Sequence, residues 1–239
     1  MLTQPDLPLG AASGLLESYG ARRLAHEPLN RIIGRSDFFG LDLLVAPQVL
    51  DPRSDTETLV ELALKRAELP KRPRILDLGS GSGAILCALL TQCPSATGVA
   101  VDLSPQACAL TVENLAICGL ADRSFVIRGH WAEAVAGPFD LVVSNPPYIS
   151  GAELAELDPE VRQFDPMLAL FGGDDGLEPY RAIAPGLPRL LTPRGAVCFE
   201  IGWRQGQDVV AILKRAGLIE IEIHQDKAGR NRAIIARSA

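Results

Sequence analysis

The chain has 239 residues, of which 47% are apolar and 22% charged, which suits one packed α/β domain and excludes a disordered chain. No apolar run reaches the roughly 18 residues of a membrane span, and the opening MLTQPDLPLG lacks the basic start and apolar core of a signal peptide, so a cytoplasmic protein without a membrane partner is expected. The net charge of −6 is uneven, with 4 Lys and Arg against 14 Asp and Glu over residues 74–180, a balance that argues against a nucleic-acid backbone as partner and for a basic protein loop.

Residues 1–27 carry weak helical periodicity around Leu15, Leu16, Tyr19 and Leu24, a segment too short for a core of its own. Residues 28–53 alternate apolar and polar residues between turn signals, which predicts a β-hairpin. Ser54 with Glu57 three positions on has capping-box spacing, and Leu59, Leu62, Ala63 and Leu69 give the following helix an apolar stripe. From Arg74 strand and helix patterns alternate. Strands are predicted at 74–79, 97–103, 124–129, 139–145, 195–202, 219–226 and 232–238, with helices at 83–92, 105–117, 178–190 and 205–216. Such alternation predicts an α/β fold with a mainly parallel sheet covered on both faces. Only KAGRN separates the last two strands, so the sheet should end in an antiparallel hairpin, as in a class I methyltransferase Rossmann-like fold. The domain division expected is a short helical remnant at 1–27, a hairpin linker at 28–53 and a catalytic domain at 54–239.

Cys87, Cys93, Cys108, Cys118 and Cys198 form no CxxC pair and read as reduced thiols. His26, His130 and His224 are far apart, so no metal site is expected.

The first strand of the alternating region runs into Asp77, Gly79, Ser80, Gly81, Ser82 and Gly83. The spacing is D-x-G-x-G-x-G, unlike the G-x-G-x-x-G that seats a pyrophosphate on a helix N-terminus. S-adenosylmethionine has no phosphate but carries an ammonium and a sulfonium, so an acidic residue at the strand end suits it. Asp102, at the end of the second strand, can accept hydrogen bonds from both ribose hydroxyls.

FDLVVSNPPYIS is the most informative segment. Two successive prolines stop a strand and stiffen the turn after it. That accounts for Pro146 and Pro147 but not for Asn145 before them or Tyr148 after. A planar amide nitrogen is a poor nucleophile, and two fixed acceptors could hold both of its hydrogens and aim it. The Asn145 side-chain oxygen and the Pro146 carbonyl could supply these, with Tyr148 against the amide plane. The exocyclic amine of adenine is equally flat, so the tetrapeptide gives a reaction class and leaves the substrate open.

These residues, together with PLNRIIGRSDFFGLDLLVAPQVLDPRSDTETLVELAL, EVRQFDPMLALFGGDDGLEPYRAI, FEIGWRQGQ and AGRNRAIIA, resemble the peptide chain release factor glutamine methyltransferase family from about Glu27 to the C-terminus. The resemblance implies that Gly79 to Gly83 and Asp102 bind the cofactor and that Trp131 packs beside its adenine. It implies that Asn145 touches cofactor and substrate, and that Asn145, Pro146, Pro147 and Tyr148 hold the glutamine of a release factor's Gly-Gly-Gln loop. Arg53 and Glu57 would shape the cavity mouth or pair at the helix start, and the loop Gly172 to Gly176 would lie near the site. Three features depart from the family pattern. Few residues precede the hairpin, where a helical recognition domain is usual; His130 stands where an acidic residue is common; and Asp51 replaces an apolar residue. The competing readings are an adenine amino methyltransferase on DNA or RNA, a ribosomal-protein glutamine methyltransferase, and a catalytically idle cofactor-binding subunit.

Overall fold

The computed structural model describes residues 12–239. Most of the 1–27 segment that can be described is a helix, α1 (Ala12–Leu24), followed by a short helix α2 (Leu29–Ile33). The hairpin is β1 (Arg35–Phe38) and β2 (Leu41–Leu44), narrower than the 28–53 expected. Pro28 starts α2, and residues 45–53 run without strand pairing across the face of the later cavity. Phe38 and Leu43 are fully buried in the main core, so the hairpin is packed into the fold.

The remaining elements are α3 (Glu57–Arg66), β3 (Arg74–Leu78), α4 (Ala84–Gln92), β4 (Thr97–Asp102), α5 (Pro105–Ile117), β5 (Ser124–Arg128) and β6 (Phe139–Ser144). After these come α6 (Pro159–Phe164), α7 (Met167–Leu170), α8 (Glu178–Ile183), α9 (Leu187–Leu190), β7 (Leu191–Glu200), α10 (Gly206–Arg215), β8 (Ile219–Gln225) and β9 (Asn231–Arg237). The seven strands of the main sheet run β5-β4-β3-β6-β7-β9-β8. From β5 to β7 all pairings are parallel, while β9 lies antiparallel to both β7 and β8. This is the class I methyltransferase arrangement expected from the sequence.

Burial explains the strand order. Leu141, Val142 and Val143 of β6 and Ile75, Leu76 and Leu78 of β3 are wholly buried, as strands covered on both faces must be. In β9 the run Ala233–Ala236 is also buried, whereas β8 alternates and exposes Ile219, Glu220 and Glu222. The apolar strand is therefore interior and the mixed strand takes the edge, where its charges discourage further pairing. α4 is buried without a break from Ala84 to Leu90, wedged between the sheet, α3 and α5. Tyr180, Ile183, Leu187, Val209 and Leu213 cover the opposite face from α8, α9 and α10.

Three local expectations change. The 178–190 helix is broken into α8, a 3-10 turn at Ala184–Gly186 and α9, because Pro185 and Pro188 lack the N–H that would continue it. The fifth predicted strand starts at Leu191, four residues early, with Arg194 in the left-handed region (φ 62°) and a register shift against β6. The capping box does not form. A 3-10 turn at Ser54–Thr56 leads into α3, and the Glu57 carboxylate instead accepts the Phe39 N–H of the hairpin turn at 2.9 Å. Glu57 therefore neither pairs with Arg53 nor lies in the cavity wall.

Asp51 has a partner that the sequence did not disclose. The Arg31 side chain is 3% exposed and meets Asp51 at 3.4 Å and Asp165 at 3.0 Å. It also donates to the carbonyls of Pro47 at 2.9 Å, Val49 at 3.2 Å and Phe164. Burial pushes the carboxyls of Asp51 and Asp165 up, and the two arginines Arg31 and Arg53 pull them back. This cluster ties α2, the 45–53 stretch and the α6–α7 junction together around the cavity. Replacing Arg31 by Met strands the buried Asp51 carboxylate, while Asp165 keeps Arg53, so a loss of about 3–5 kcal/mol is expected in urea unfolding at pH 7. The double variant Arg31→Met, Asp51→Leu should recover part of it; an Arg31→Met curve overlying that of the wild type would show the cluster to be idle.

Candidate active site

The C-terminal ends of β3, β4, β5 and β6 open into a cavity of about 520 Å³. It lies where the chain crosses over in opposite directions from the central strand β3, the usual ligand crevice of an open α/β sheet. Gly79, Ser80, Gly81 and Ser82 follow β3, Asp102 ends β4, Gly129, His130 and Trp131 follow β5, and Asn145 and Pro147 follow β6, all of them in its wall. A second cavity of about 200 Å³ adjoins it and is lined by Asn145, Pro146, Tyr148 and Glu200. Leu50, Arg53, Asn145 and Ala169 belong to both walls, so the tetrapeptide corner stands at the junction of the two.

The glycine turn is braced from behind by α5. Thr111 Oγ1 donates to the Gly81 carbonyl at 3.0 Å, and Asn114 Nδ2 donates to the Ser82 carbonyl at 2.9 Å. Asn114 also exchanges two hydrogen bonds with Leu44, which ties the hairpin to the turn. Neither residue carries a sequence signal beyond its place on a helix, and neither was expected. Ser104 caps α5 by accepting the Ala107 N–H at 3.2 Å, with Pro105 at the first helical position.

Asp102 Oδ2 accepts the Gly81 N–H at 2.9 Å, and Oδ1 accepts the Ser104 N–H at 2.8 Å. Burial pushes this carboxyl up, and those backbone donors draw it back. Each oxygen keeps a second lone pair, which is what two ribose hydroxyls require. Trp131 stands at φ 45° with its ring edge against the glycine turn, where a Cβ on Gly79 would come within 3.1 Å of it. His130 is half-exposed, lines the cavity and turns Nδ1 toward Glu133 at 3.3 Å.

Two of the residues expected to hold the cofactor stand outside the wall. Gly83 opens α4 (φ 78°) with Thr111 behind it. Asp77 is fully buried behind the glycine turn, and neither of its oxygens has a hydrogen-bond partner among the described residues. Burial, and then the charge of Asp102, push the Asp77 carboxyl up to about 7. Its folded pKa lies above the unfolded value, so its contribution to stability is complete below about pH 4 and is lost as pH rises through about 7. Asp77→Asn removes that loss. Without cofactor, the variant should unfold at a higher temperature than the wild type at pH 8 and show little difference at pH 4.5. A lower melting temperature at pH 8 would contradict the burial argument.

The cavity wall suits a cationic nucleoside-bearing ligand. Its Asp, Glu and Arg residues are Asp51, Arg53, Asp102 and Glu178, an acidic balance that opposes a pyrophosphate. Its volume is within the range of small-molecule sites, about 300–1,000 Å³.

At the corner, Asn145 Nδ2 donates to Thr56 Oγ1 at 3.1 Å. The Asn145 side-chain oxygen and the Pro146 carbonyl accept no hydrogen bond among the described residues. The Tyr148 phenol donates to Glu200 Oε1 at 3.1 Å, and its backbone carbonyl accepts Gln205 Nε2 at 2.8 Å. Gln205 also donates to the Gly176 carbonyl at 3.1 Å, which ties the Gly172–Gly176 loop to the corner. That loop must be glycine-rich. A Cβ on Gly176 (φ 73°) would come within 2.3 Å of the Tyr148 carbonyl. The sequence placed the loop near the site; Thr56, Glu200 and Gln205 emerge only when β7 lies beside β6.

Comparison with known proteins agrees with this geometry. The family model "Methyltransferase small domain" matches residues 52–158. The release factor glutamine methyltransferase of Rhodospirillum rubrum is 49% identical over 222 residues, covering 93% of this chain and 68% of that protein. The protein of the same name from Agrobacterium fabrum is 47% identical, covering 90% of this chain and 76% of its own length. Among solved structures, a methyltransferase from Pyrococcus furiosus superposes with a TM-score of 0.64 at 16% identity, covering 93% of this chain and 99% of that one. The ribosomal protein L11 methylase of Lactobacillus delbrueckii subsp. bulgaricus gives 0.58 at 21% identity, covering 80% and 82%, a likeness of fold alone. With a methyltransferase sheet, a glycine turn and a proline corner meeting at one cavity, and with sequence identity at this level over nine-tenths of its length, the chain belongs to the release factor glutamine methyltransferase family.

Proposed function

We propose that this chain methylates the side-chain amide of a glutamine in a peptide chain release factor, with S-adenosylmethionine as donor. The observation that carries the reading is the meeting of the two cavities at Asn145, one walled by the glycine turn and Asp102 and the other by Pro146 and Tyr148. The cofactor would lie in the larger cavity on Gly79, Ser80, Gly81 and Ser82. Asp102 would hold its ribose, Trp131 would pack beside its adenine, and the Asp77 charge would act from behind the turn. Bound S-adenosylmethionine supplies an electrophilic methyl on a sulfonium.

The substrate glutamine would enter the smaller cavity. There the Asn145 oxygen and the Pro146 carbonyl take the two amide hydrogens, and the Tyr148 ring lies along the amide plane. Pro146 and Pro147 keep these acceptors from relaxing, so little reorganisation accompanies transfer. The methylated nitrogen is strongly acidic and sheds its proton without a dedicated base.

The domain division that fits this reading leaves transfer to residues 54–239, with the 28–53 segment joined to them through Phe38 and Leu43 and with α1 (Ala12–Leu24) ahead of both. The acidic stretch 74–180 favours a basic protein loop over nucleic acid. No described helix is long and apolar enough to cross a membrane, and a cytoplasmic site of action is part of the proposal. The test is incubation with methyl-labelled S-adenosylmethionine and either a release factor or DNA. Label on the glutamine of the Gly-Gly-Gln loop is expected; label on nucleic acid alone would reverse the assignment in favour of the adenine reading.

A further inference from the structure

Beneath the proline corner lies a buried carboxylate that the transfer scheme does not use. Glu200, the last residue of β7, is 2% exposed and lines the smaller cavity. Its Oε1 accepts the Tyr148 phenol at 3.1 Å, while its Oε2 has no hydrogen-bond partner among the described residues. Its main-chain carbonyl accepts the Tyr180 phenol at 2.8 Å, which fixes the strand end. The Thr56 hydroxyl is near enough to draw the Glu200 carboxyl down, although no hydrogen bond joins the two among the described residues. That hydroxyl already receives an Asn145 amide hydrogen on its oxygen at 3.1 Å. Its own single hydrogen needs another acceptor, and the free Glu200 oxygen needs a donor.

We propose that Glu200 is a positioning residue that fixes the polarity of the Asn145 amide through Thr56. An ionised carboxylate only accepts hydrogen bonds. It takes the Thr56 hydrogen, which leaves the Thr56 oxygen able to receive only the NH₂ side of Asn145. The Asn145 oxygen is thereby turned to the substrate. Were Thr56 free to rotate, its hydroxyl could donate to that oxygen and present the NH₂ to the glutamine, a donor facing a donor. Glu200 thus sets two of the corner's parts at once, the Asn145 amide and the Tyr148 ring. The inference rests on the proposed glutamine transfer.

The surroundings of Glu200 are specific. Arg232 of β9 approaches the Tyr148 phenol at 3.5 Å and pairs with Asp55 at 3.0 Å and Asp226 at 3.4 Å. Asp55, in the turn before α3, opposes the Glu200 charge, while Thr56, Arg232 and Tyr148 favour it; burial outweighs these and pushes its carboxyl up to about 7. Protonation would make the carboxyl a donor and undo the Thr56 arrangement, so turnover should fall as pH drops through that value.

The test is steady-state kinetics of the full chain on a release factor with labelled S-adenosylmethionine. Glu200→Gln can still accept from Tyr148 but offers NH₂ to Thr56. It should lower kcat by about tenfold to a hundredfold, leave the KM for cofactor within about twofold and abolish the low-pH limb. Thr56→Val should lose a similar factor, Thr56→Ser should recover most of that loss, and the double variant Glu200→Gln, Thr56→Val should be little worse than either single one. Losses that multiply, or a Glu200→Gln kcat within twofold of wild type, would overturn the inference alone. A wild-type chain that leaves the release factor unlabelled would overturn the glutamine reading and this inference with it.

Discussion

Asn145→Ala is expected to lower kcat by about 10²–10³-fold while cofactor affinity stays within about tenfold. The size follows from what the side chain supplies. One preorganised polar group aimed at the reacting atom is worth about 10²–10³ in turnover when removed. A single hydrogen bond to a bound ligand contributes about 0.5–1.5 kcal/mol, which limits the effect on cofactor binding to roughly tenfold. Asn145 stands at the seam of both cavities, with its Nδ2 committed to Thr56 at 3.1 Å and its oxygen left as the acceptor. Truncation to Ala removes that acceptor and leaves the proline turn in place. Single-turnover rates with pre-bound labelled S-adenosylmethionine, beside calorimetric titration of the cofactor, separate the two quantities. Unchanged turnover would take Asn145 out of the mechanism. A collapse of both numbers together would instead mark it as a cofactor ligand.

Asp102→Ala is expected to weaken S-adenosylmethionine binding by at least about a hundredfold. Two hydrogen bonds from ribose hydroxyls to a charged acceptor are worth about 1.5–3 kcal/mol each, and about 3 kcal/mol is already a hundredfold in Kd. The same carboxylate receives the Gly81 and Ser104 N–H groups, so its loss also loosens the glycine turn and the start of α5. Asp102→Asn keeps one acceptor and the size of the side chain, so a smaller loss is expected. Calorimetry on the two variants measures both, with circular dichroism to check that the fold persists. Equal affinity in Asp102→Ala and wild type would mean that the ribose is held elsewhere, and the assignment of the larger cavity would fall with it.

Much of the architecture was open to reading because strands buried on both faces carry short apolar runs. Residues 141–143 and 75–76 announce themselves in that way, and the five residues between the last two strands allow only a hairpin. The chemistry was open for a similar local reason. A glycine turn of that spacing and a proline-locked Asn and Tyr are each one contiguous segment, complete before the chain folds. The capping box has the opposite character: Glu57 finds the Phe39 N–H, 18 positions back, a better use of its carboxylate than closing its own helix. The 178–190 helix is a local case, since Pro185 and Pro188 within the segment override its apolar periodicity.

By itself, then, the sequence determined the strand–helix alternation, the hairpin end, the glycine turn and the flat-amide corner, since each depends on neighbours along the chain. Only the tertiary structure decided that β9 enters between β7 and β8, and that Arg31 pairs with Asp51 and, together with Arg53, with Asp165. It alone put Asp77 behind the cavity wall and brought Thr56, Glu200 and Gln205 under Asn145 and Tyr148. Those outcomes turn on desolvation. A buried charge or polar group must find its partner wherever packing puts one, and in this chain the partners lie as far apart as Arg31 and Asp165, 134 positions along the sequence.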